Sequence, residues 1–144
     1  MHLMKTIFIL LSILLVNQDC STHLNQEQMS VVYNASSRGS YFEVKLENDS
    51  VSINRQRGGT PEIKSFPESL KDKLFLEIHK IDVKQLEDFE PPSENHHFDG
   101  AQIAYLQIIK NNKTYQSKNF DHNNPPKEIE AIVKEILSIV ENIE

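Results

Sequence analysis

The feature that most constrains this fold is the alternation of apolar and polar residues on both sides of a turn in residues 42–53. Phe42, Val44 and Leu46 alternate with charged residues, and the alternation resumes after Asn48-Asp49. Alternation with a period of two predicts strands with one face in water, and the short turn between them predicts a β-hairpin. An isolated hairpin is marginally stable, so other segments must cover its apolar face.

Two segments have the one-sided apolar pattern of helices that could provide this cover. The first follows Pro67, which is favourable in a first helical turn, and apolar residues recur at helical spacing as far as Ile81. The second follows Asn124, a candidate N-cap, and carries the clearest apolar stripe in the chain. The members of that stripe are Ile129, Ile132, Val133, Ile136, Leu137, Val140 and Ile143.

A second hairpin is predicted between the two helices. Residues 101–110 are apolar on both faces, as in a central strand, and residues 114–117 return after a turn at Asn111-Asn112. Further strands are predicted at residues 31–33 and 62–65. The predicted fold class is α+β: an antiparallel sheet packed against two helices, in the order strands, helix, hairpin, helix, with residues 29–144 forming a single domain.

Residues 1–20 are predicted to be a signal peptide. Lys5 precedes an apolar run at residues 7–16 that is too short to span a bilayer, which needs roughly twenty residues. Cys20 follows as the only cysteine, which excludes an internal disulfide and makes Cys20 a candidate lipidation site. The residues just before Cys20 fit neither a lipoprotein signal nor ordinary cleavage well, so both remain open. Residues 21–28 are predicted to be a tether.

Charge and motif content disfavour several functional classes. A formal net charge of −6 repels nucleic acid and anionic lipid at long range, and favours a basic protein or a cation as partner. No cofactor motif is recognised, and the Gly58-Gly59 loop lacks the spacing of a phosphate-binding loop. The residues Ser36, Ser37 and Arg38, taken with His122, lack the spacing of a catalytic set. We therefore expect no enzyme activity, no catalytic residues and no cofactor.

Two loops contain candidate metal ligands: His96, His97 and Asp99 in one, and Asp121 and His122 in the other. Imidazole and carboxylate groups bind zinc and similar ions. Because the loops flank the same hairpin, they are predicted to meet at one end of the sheet.

The favoured interpretation, however, is that the same two loops are structural. In that case Phe98 and Phe120 are expected to be partly buried at the edge of the sheet. Asp99 would bond backbone N–H groups in its turn, and Asp121 would organise the segment leading to Pro125. Ser37, Arg38 and Phe120 are candidate binding residues.

Three short motifs resemble those of a known group of proteins. They are Ser37-Arg38-Gly39 before a strand, Phe98-Asp99-Gly100 before the central strand, and residues 120–126 (FDHNNPP) before the last helix. With its signal and cysteine, the chain resembles small secreted proteins and lipoproteins of the Bacteroidetes cell envelope, which have no assigned activity. The resemblance implies an envelope location and supports the fold order, but it implies no reaction.

These observations give a ranked set of functional expectations. The first is a non-enzymatic exported protein, in the periplasm or anchored to a membrane through Cys20, that binds another protein. It would act as an inhibitor, an immunity-type protector or an accessory subunit. The alternative is a periplasmic domain that binds a metal or a small ligand, and the third is an enzyme.

Overall fold

The computed structural model describes residues 28–143, which form one antiparallel sheet and two α-helices. The strands are β1 (Met29–Ser36), β2 (Tyr41–Glu47), β3 (Ser50–Asn54), β4 (Glu62–Ser65), β5 (Ile103–Lys110), β6 (Lys113–Gln116) and β7 (Phe120–Asp121). The helices are α1 (Glu68–Ile78) and α2 (Glu130–Ile143), and 3₁₀ turns cover Val83–Asp88, Asn95–Phe98 and Lys127–Ile129. The predicted fold class and element order are confirmed.

The sheet order is β4-β3-β2-β1-β5-β6, and β7 also pairs with β5. All pairs are antiparallel, and the tight turns predicted at Asn48-Asp49 and Asn111-Asn112 join β2 to β3 and β5 to β6. The pairing of β1 with β5 joins the first four strands to the second hairpin, with Tyr33 opposite Leu106. Because this pairing joins distant parts of the chain, it brings loops that are far apart in the sequence close together at each end of the sheet.

The core lies between one face of the sheet and the two helices. Val44, Leu46 and Leu106 project from the strands, while Leu74 of α1 and Ile136 of α2 pack against them from the helices, and all five are buried. Because successive strand residues point to opposite faces, the intervening residues, such as Lys45 and Gln107, lie on the other face. The domain therefore has two layers, as expected for an α+β sandwich.

The two ends of the sheet carry different loops and turns. The loop end comprises residues 37–40, 94–102 and 120–124, because Ser36 pairs with both Tyr41 and Ile103, and Ile103 pairs with Asp121. The hairpin end comprises Gln28 and the turns at residues 48–49 and 111–112, because the start of β1 pairs with the ends of β2 and β5.

Both helix boundaries differ from the sequence prediction. The first helix ends at Ile78, and Ile81 lies in the following turn, half-buried. Asn124 is not an N-cap, because Pro126 precedes the 3₁₀ turn that leads into α2 and the Asn124 amide donates instead to Ser93 Oγ at 2.6 Å. Among the residues described, no helix is long and apolar enough to cross a membrane.

Candidate functional site at the loop end

The loop end is organised by one buried carboxylate, Asp121 of β7. It accepts hydrogen bonds from Ser93 Oγ at 2.5 Å and from the backbone N–H of Asn95 at 2.9 Å. His96 also contacts this carboxylate, through its backbone N–H at 2.7 Å and its ring Nδ1 at 2.6 Å. Asp121 therefore fixes residues 93–96 against the edge of the sheet.

The electrostatics of this cluster favour an ionised carboxylate at neutral pH. Burial by itself would raise the pKa of Asp121, but the hydrogen bonds from Ser93, His96 and Asn95 stabilise the charged form and hold its pKa well below the usual range. The side chains of His96 and Asp121 are 2% and 3% exposed. Asp121 is therefore suited to holding a loop, and poorly suited to accepting a proton near neutral pH.

The structure brings the two predicted loops together, but it does not assemble the five candidate metal ligands. Among the five, only His96 and Asp121 are joined by a hydrogen bond. The ring of His97 packs edge-on to that of His96, and His97 Nδ1 lies 3.8 Å from Glu94. Within residues 28–143 the Asp99 carboxylate accepts no backbone N–H, so that expectation is wrong, and it lies 4.0 Å from Arg38.

The fifth candidate, His122, turns toward the core side of the sheet. Its Nδ1 lies 2.7 Å from the hydroxyl of Tyr33, which is fully buried on β1. Burial lowers the pKa of His122 and raises that of Tyr33, so both groups stay neutral at pH 7. Within residues 28–143 no three His, Cys, Asp or Glu side chains are placed to hold a metal ion together.

The burial of the two phenylalanines at the loop end differs from the sequence prediction. Phe120 is fully buried, not partly buried as expected, and packs against Tyr33 with ring centroids 6.3 Å apart, so its ring belongs to the core. Phe98 is 86% exposed, so the expectation that it is partly buried is wrong. The inward position of its loop is taken by His96, since that side chain is drawn to Asp121.

The backbone around Phe98 is locally well defined. Residues 95–98 form a 3₁₀ turn, Asp99 adopts a left-handed conformation at φ 57°, and the Gly100 N–H donates to the Asn95 carbonyl at 3.0 Å. This turn ends with the Phe98 side chain directed to solvent.

The candidate binding residues Ser37 and Arg38 lie beside this turn. They line a shallow cavity of about 450 Å³ whose other members are Gly39, Asp99, Gly100, Ala101 and Gln102. The Arg38 side chain is 92% exposed, and Ser37 Oγ lies 2.8 Å from Ser40 Oγ. In the described part of the chain no hydrogen bond joins Ser37 to His122, because His122 Nδ1 contacts the Tyr33 hydroxyl. The pairing of a serine hydroxyl with an imidazole that the sequence analysis considered is therefore not formed.

Sequence reasoning missed the partners of Asp121. Ser93 and Asn95 are 28 and 26 residues from Asp121 in the chain, and no local pattern links them to it. Cys20 and most of the predicted tether lie outside the described residues. Comparisons with models of protein families, with curated proteins and with solved structures gave no match to this chain.

Proposed function

We propose that this chain is an exported, non-enzymatic protein that binds another protein through its loop end. The apolar run at residues 7–16 and the resemblance to Bacteroidetes envelope proteins support export. The single observation that carries the binding role is Phe98, which is 86% exposed on a loop that is itself tied to the sheet.

The combination of a fixed loop and an exposed ring supports recognition over a packing role. A large aromatic side chain that is exposed to water does not stabilise the fold. The same side chain contributes substantial binding energy when it is buried against a partner. Because Asp121 already orders residues 93–96, little loop entropy remains to be lost on binding. Phe98 therefore has the properties of a preorganised contact residue.

The residues around Phe98 extend the proposed contact surface. Arg38 is almost fully exposed and lies 4.0 Å from Asp99, so both charges remain available to a partner. Arginine and aromatic residues are enriched among residues that dominate interface energetics. We propose that Phe98 provides the central apolar contact and that Arg38 and Asp99 provide polar contacts around it.

The proposal is tested by replacing Phe98 and asking whether a specific partner is lost. A tagged protein would be expressed in its native cells and cross-linked, and captured proteins would be compared for the wild type, Phe98→Ala and Leu76→Ala. Leu76 is a matched control, because it is 65% exposed on α1. We expect a stoichiometric partner with the wild type and with Leu76→Ala, and its loss with Phe98→Ala.

Two results would contradict the proposal. Capture of the same partner in equal amount by Phe98→Ala would show that the loop end is not the contact. Loss of capture by both variants would assign the binding to general surface hydrophobicity.

A further inference from the structure

A second surface lies at the opposite end of the sheet and is separate from the loop end. It is a cleft of about 480 Å³ between the end of α1, the turn that follows it and the β5–β6 hairpin. Its lining residues are Met29, Ile78, His79, Ile81, Asp82, Val83, Lys84, Lys110, Asn111, Lys113 and Tyr115. The cleft thus combines an apolar floor with several charged groups at its rim.

The floor is made of side chains that already belong to the core. Met29 and Ile78 are buried, whereas Ile81, Val83 and Tyr115 are half-buried and keep part of their surface in the cleft. Apolar surface left in a concave site favours a ligand with an apolar portion of its own.

The rim carries an excess of positive charge. Lys84 and Lys113 are exposed, and Lys110 also lines the cleft but already takes part in another interaction. The Lys113 ammonium lies 5.1 Å from the centre of the Tyr115 ring, and no ion pair involves Lys84 or Lys113 within residues 28–143. The cleft is therefore complementary to an anion.

The acidic groups near this end do not cancel the charge of the lysines. Asp82 is the one carboxylate in the lining, and one of its oxygens accepts the backbone N–H of Lys84 at 3.0 Å, so the lysines outnumber it. At the hairpin end, Asp49 pairs with Lys71 at 2.8 Å and Glu47 pairs with Lys45 at 2.6 Å. The cleft is thus locally basic although the whole chain has a formal charge of −6.

The position of the cleft in the chain indicates which anion it meets. Met29, the first residue of β1, lines the cleft, and the carbonyl of the preceding Gln28 accepts the Asn111 N–H at 3.3 Å. The eight residues 21–28 can span at most about 28 Å, since a fully extended chain covers about 3.5 Å per residue. If the N-terminal region is held at a membrane, as the proposed export implies, the cleft lies within that distance of the lipid.

We propose that the lysine-rimmed cleft at the hairpin end binds the headgroup of an anionic phospholipid. Lys84 and Lys113 meet the phosphate. Ile81, Val83 and Tyr115 receive the upper part of the lipid chain. This inference rests on the proposed location and is independent of the Phe98 surface, which lies at the other end of the sheet. It adds a lipid contact to the membrane attachment expected through Cys20 alone.

The test measures binding of the full chain to vesicles of phosphatidylcholine, with and without phosphatidylglycerol. An apolar N-terminal segment would bind both kinds of vesicle, whereas the cleft adds a component that requires phosphatidylglycerol and weakens with salt. One lysine near an anionic surface contributes about 1 kcal/mol, which is about fivefold in affinity. We therefore expect Lys84→Gln with Lys113→Gln to reduce the phosphatidylglycerol-dependent component on the order of 25-fold.

The matched control is Lys73→Gln with Lys134→Gln, which changes the net charge equally at exposed helical positions away from the cleft. We expect this variant to bind like the wild type. Equal losses in the two double variants would assign the effect to net charge and overturn the proposal. Complete displacement by inorganic phosphate would also overturn it, because the site would then take a soluble anion.

A positional measurement covers the case in which the lysine variant folds poorly. A single cysteine for an environment-sensitive dye is placed at Asn112→Cys or at Ser37→Cys in a Cys20→Ser chain. We expect phosphatidylglycerol vesicles to change the emission at position 112 and not at position 37. The opposite pattern would overturn the lipid contact, while capture of a partner through Phe98 tests the proposed function separately.

Discussion

At the level of single residues, Asp121 explains why the loop end is ordered. Its carboxylate accepts hydrogen bonds from Ser93, Asn95 and His96, all of which are donors. We expect Asp121→Asn to lower the Tm clearly, because the amide group places two new donors among groups that already donate. The control is Asp99→Asn, where the carboxylate is exposed and the Tm should stay unchanged.

The stabilisation by Asp121 has a defined pH dependence. The folded-state pKa of Asp121 is lowered, so its contribution is complete above the unfolded carboxyl pKa of about 3.9 and is lost as the pH falls below it. The difference in Tm between the wild type and Asp121→Asn should therefore shrink below about pH 4. A difference that is constant from pH 7 to pH 3 would contradict this assignment.

Phe98 and Phe120 form a matched pair for a stability measurement. Phe120 is fully buried, and truncation of such a side chain costs about 3–5 kcal/mol, whereas changes at exposed positions stay within about 0.5 kcal/mol. Urea denaturation should thus show a large loss of unfolding free energy for Phe120→Ala and almost none for Phe98→Ala. A similar loss for both would place Phe98 in the core.

The candidate metal ligands make a further prediction. His96 and Asp121 bond each other, while His122 bonds Tyr33, so binding of an ion would require these bonds to break. We expect zinc to leave the Tm of the protein unchanged. A clear rise that His122→Ala abolishes would support the metal-binding alternative, since a ligand that binds only the folded state stabilises it.

At the level of elements, local patterns predicted the hairpins well. Asn48, Asn111 and Asn112 adopt positive φ angles of 51°, 52° and 60°, which Asn tolerates better than most residues. A two-residue turn fixes both strands that it connects, so a short pattern was sufficient there. The apolar stripe of α2 was equally informative, because its periodicity extends over several turns.

Other elements depended on contacts that no local pattern shows. The neighbours of β1 could not be assigned, because β5 pairs with β1 across about seventy residues of chain. The pattern places Lys71 on the solvent-exposed side of α1, yet its side chain is buried and its ammonium pairs with Asp49. In the same way, the sequence does not reveal whether His96 or Phe98 turns inward. The inward position is decided by the hydrogen bond between His96 and Asp121, which lies on a distant strand.

The β5–β6 turn provides a test of the preference for Asn at positive φ angles. Asn112 has φ 60°, where a residue with a plain Cβ is disfavoured by about 1 kcal/mol. We expect Asn112→Ala to lower the free energy of unfolding by about that amount and Asn112→Gly to be tolerated. Asn119→Ala, at an exposed position outside the turn, is the control. Equal effects of the two alanine substitutions, measured by urea denaturation, would contradict the role of the backbone angle.

At the level of the whole molecule, the two proposed surfaces lie at opposite ends of one sheet. The loop end carries Phe98, and the hairpin end carries Gln28, to which the N-terminal region is connected. A membrane attachment before residue 28 would join the domain at the end of the sheet that carries the lysine-rimmed cleft, opposite the end that carries Phe98. The arrangement suits a protein that is retained at a membrane and binds a partner beyond it.

This arrangement depends on processing and attachment at the N-terminus. The apolar run at residues 7–16 is followed closely by Cys20, the only site in the chain where a thioether-linked lipid could be added. We expect the mature protein to lack residues 1–19 and to fractionate with membranes. Cys20→Ser should move most of it to the soluble fraction, because a lipid anchor contributes about 0.8 kcal/mol for each buried methylene group.

The anchor is measured by fractionating cells that express the wild type, Cys20→Ser or Ser21→Ala, with mass spectrometry of the mature N-terminus. Ser21→Ala is the control, since it changes the neighbouring residue and keeps the thiol. Soluble wild-type protein cleaved near residue 20 would support export without an anchor, and the lipid contact of the cleft would then lose its basis. An intact start at Met1 or Met4 in the envelope fraction would refute the signal peptide itself.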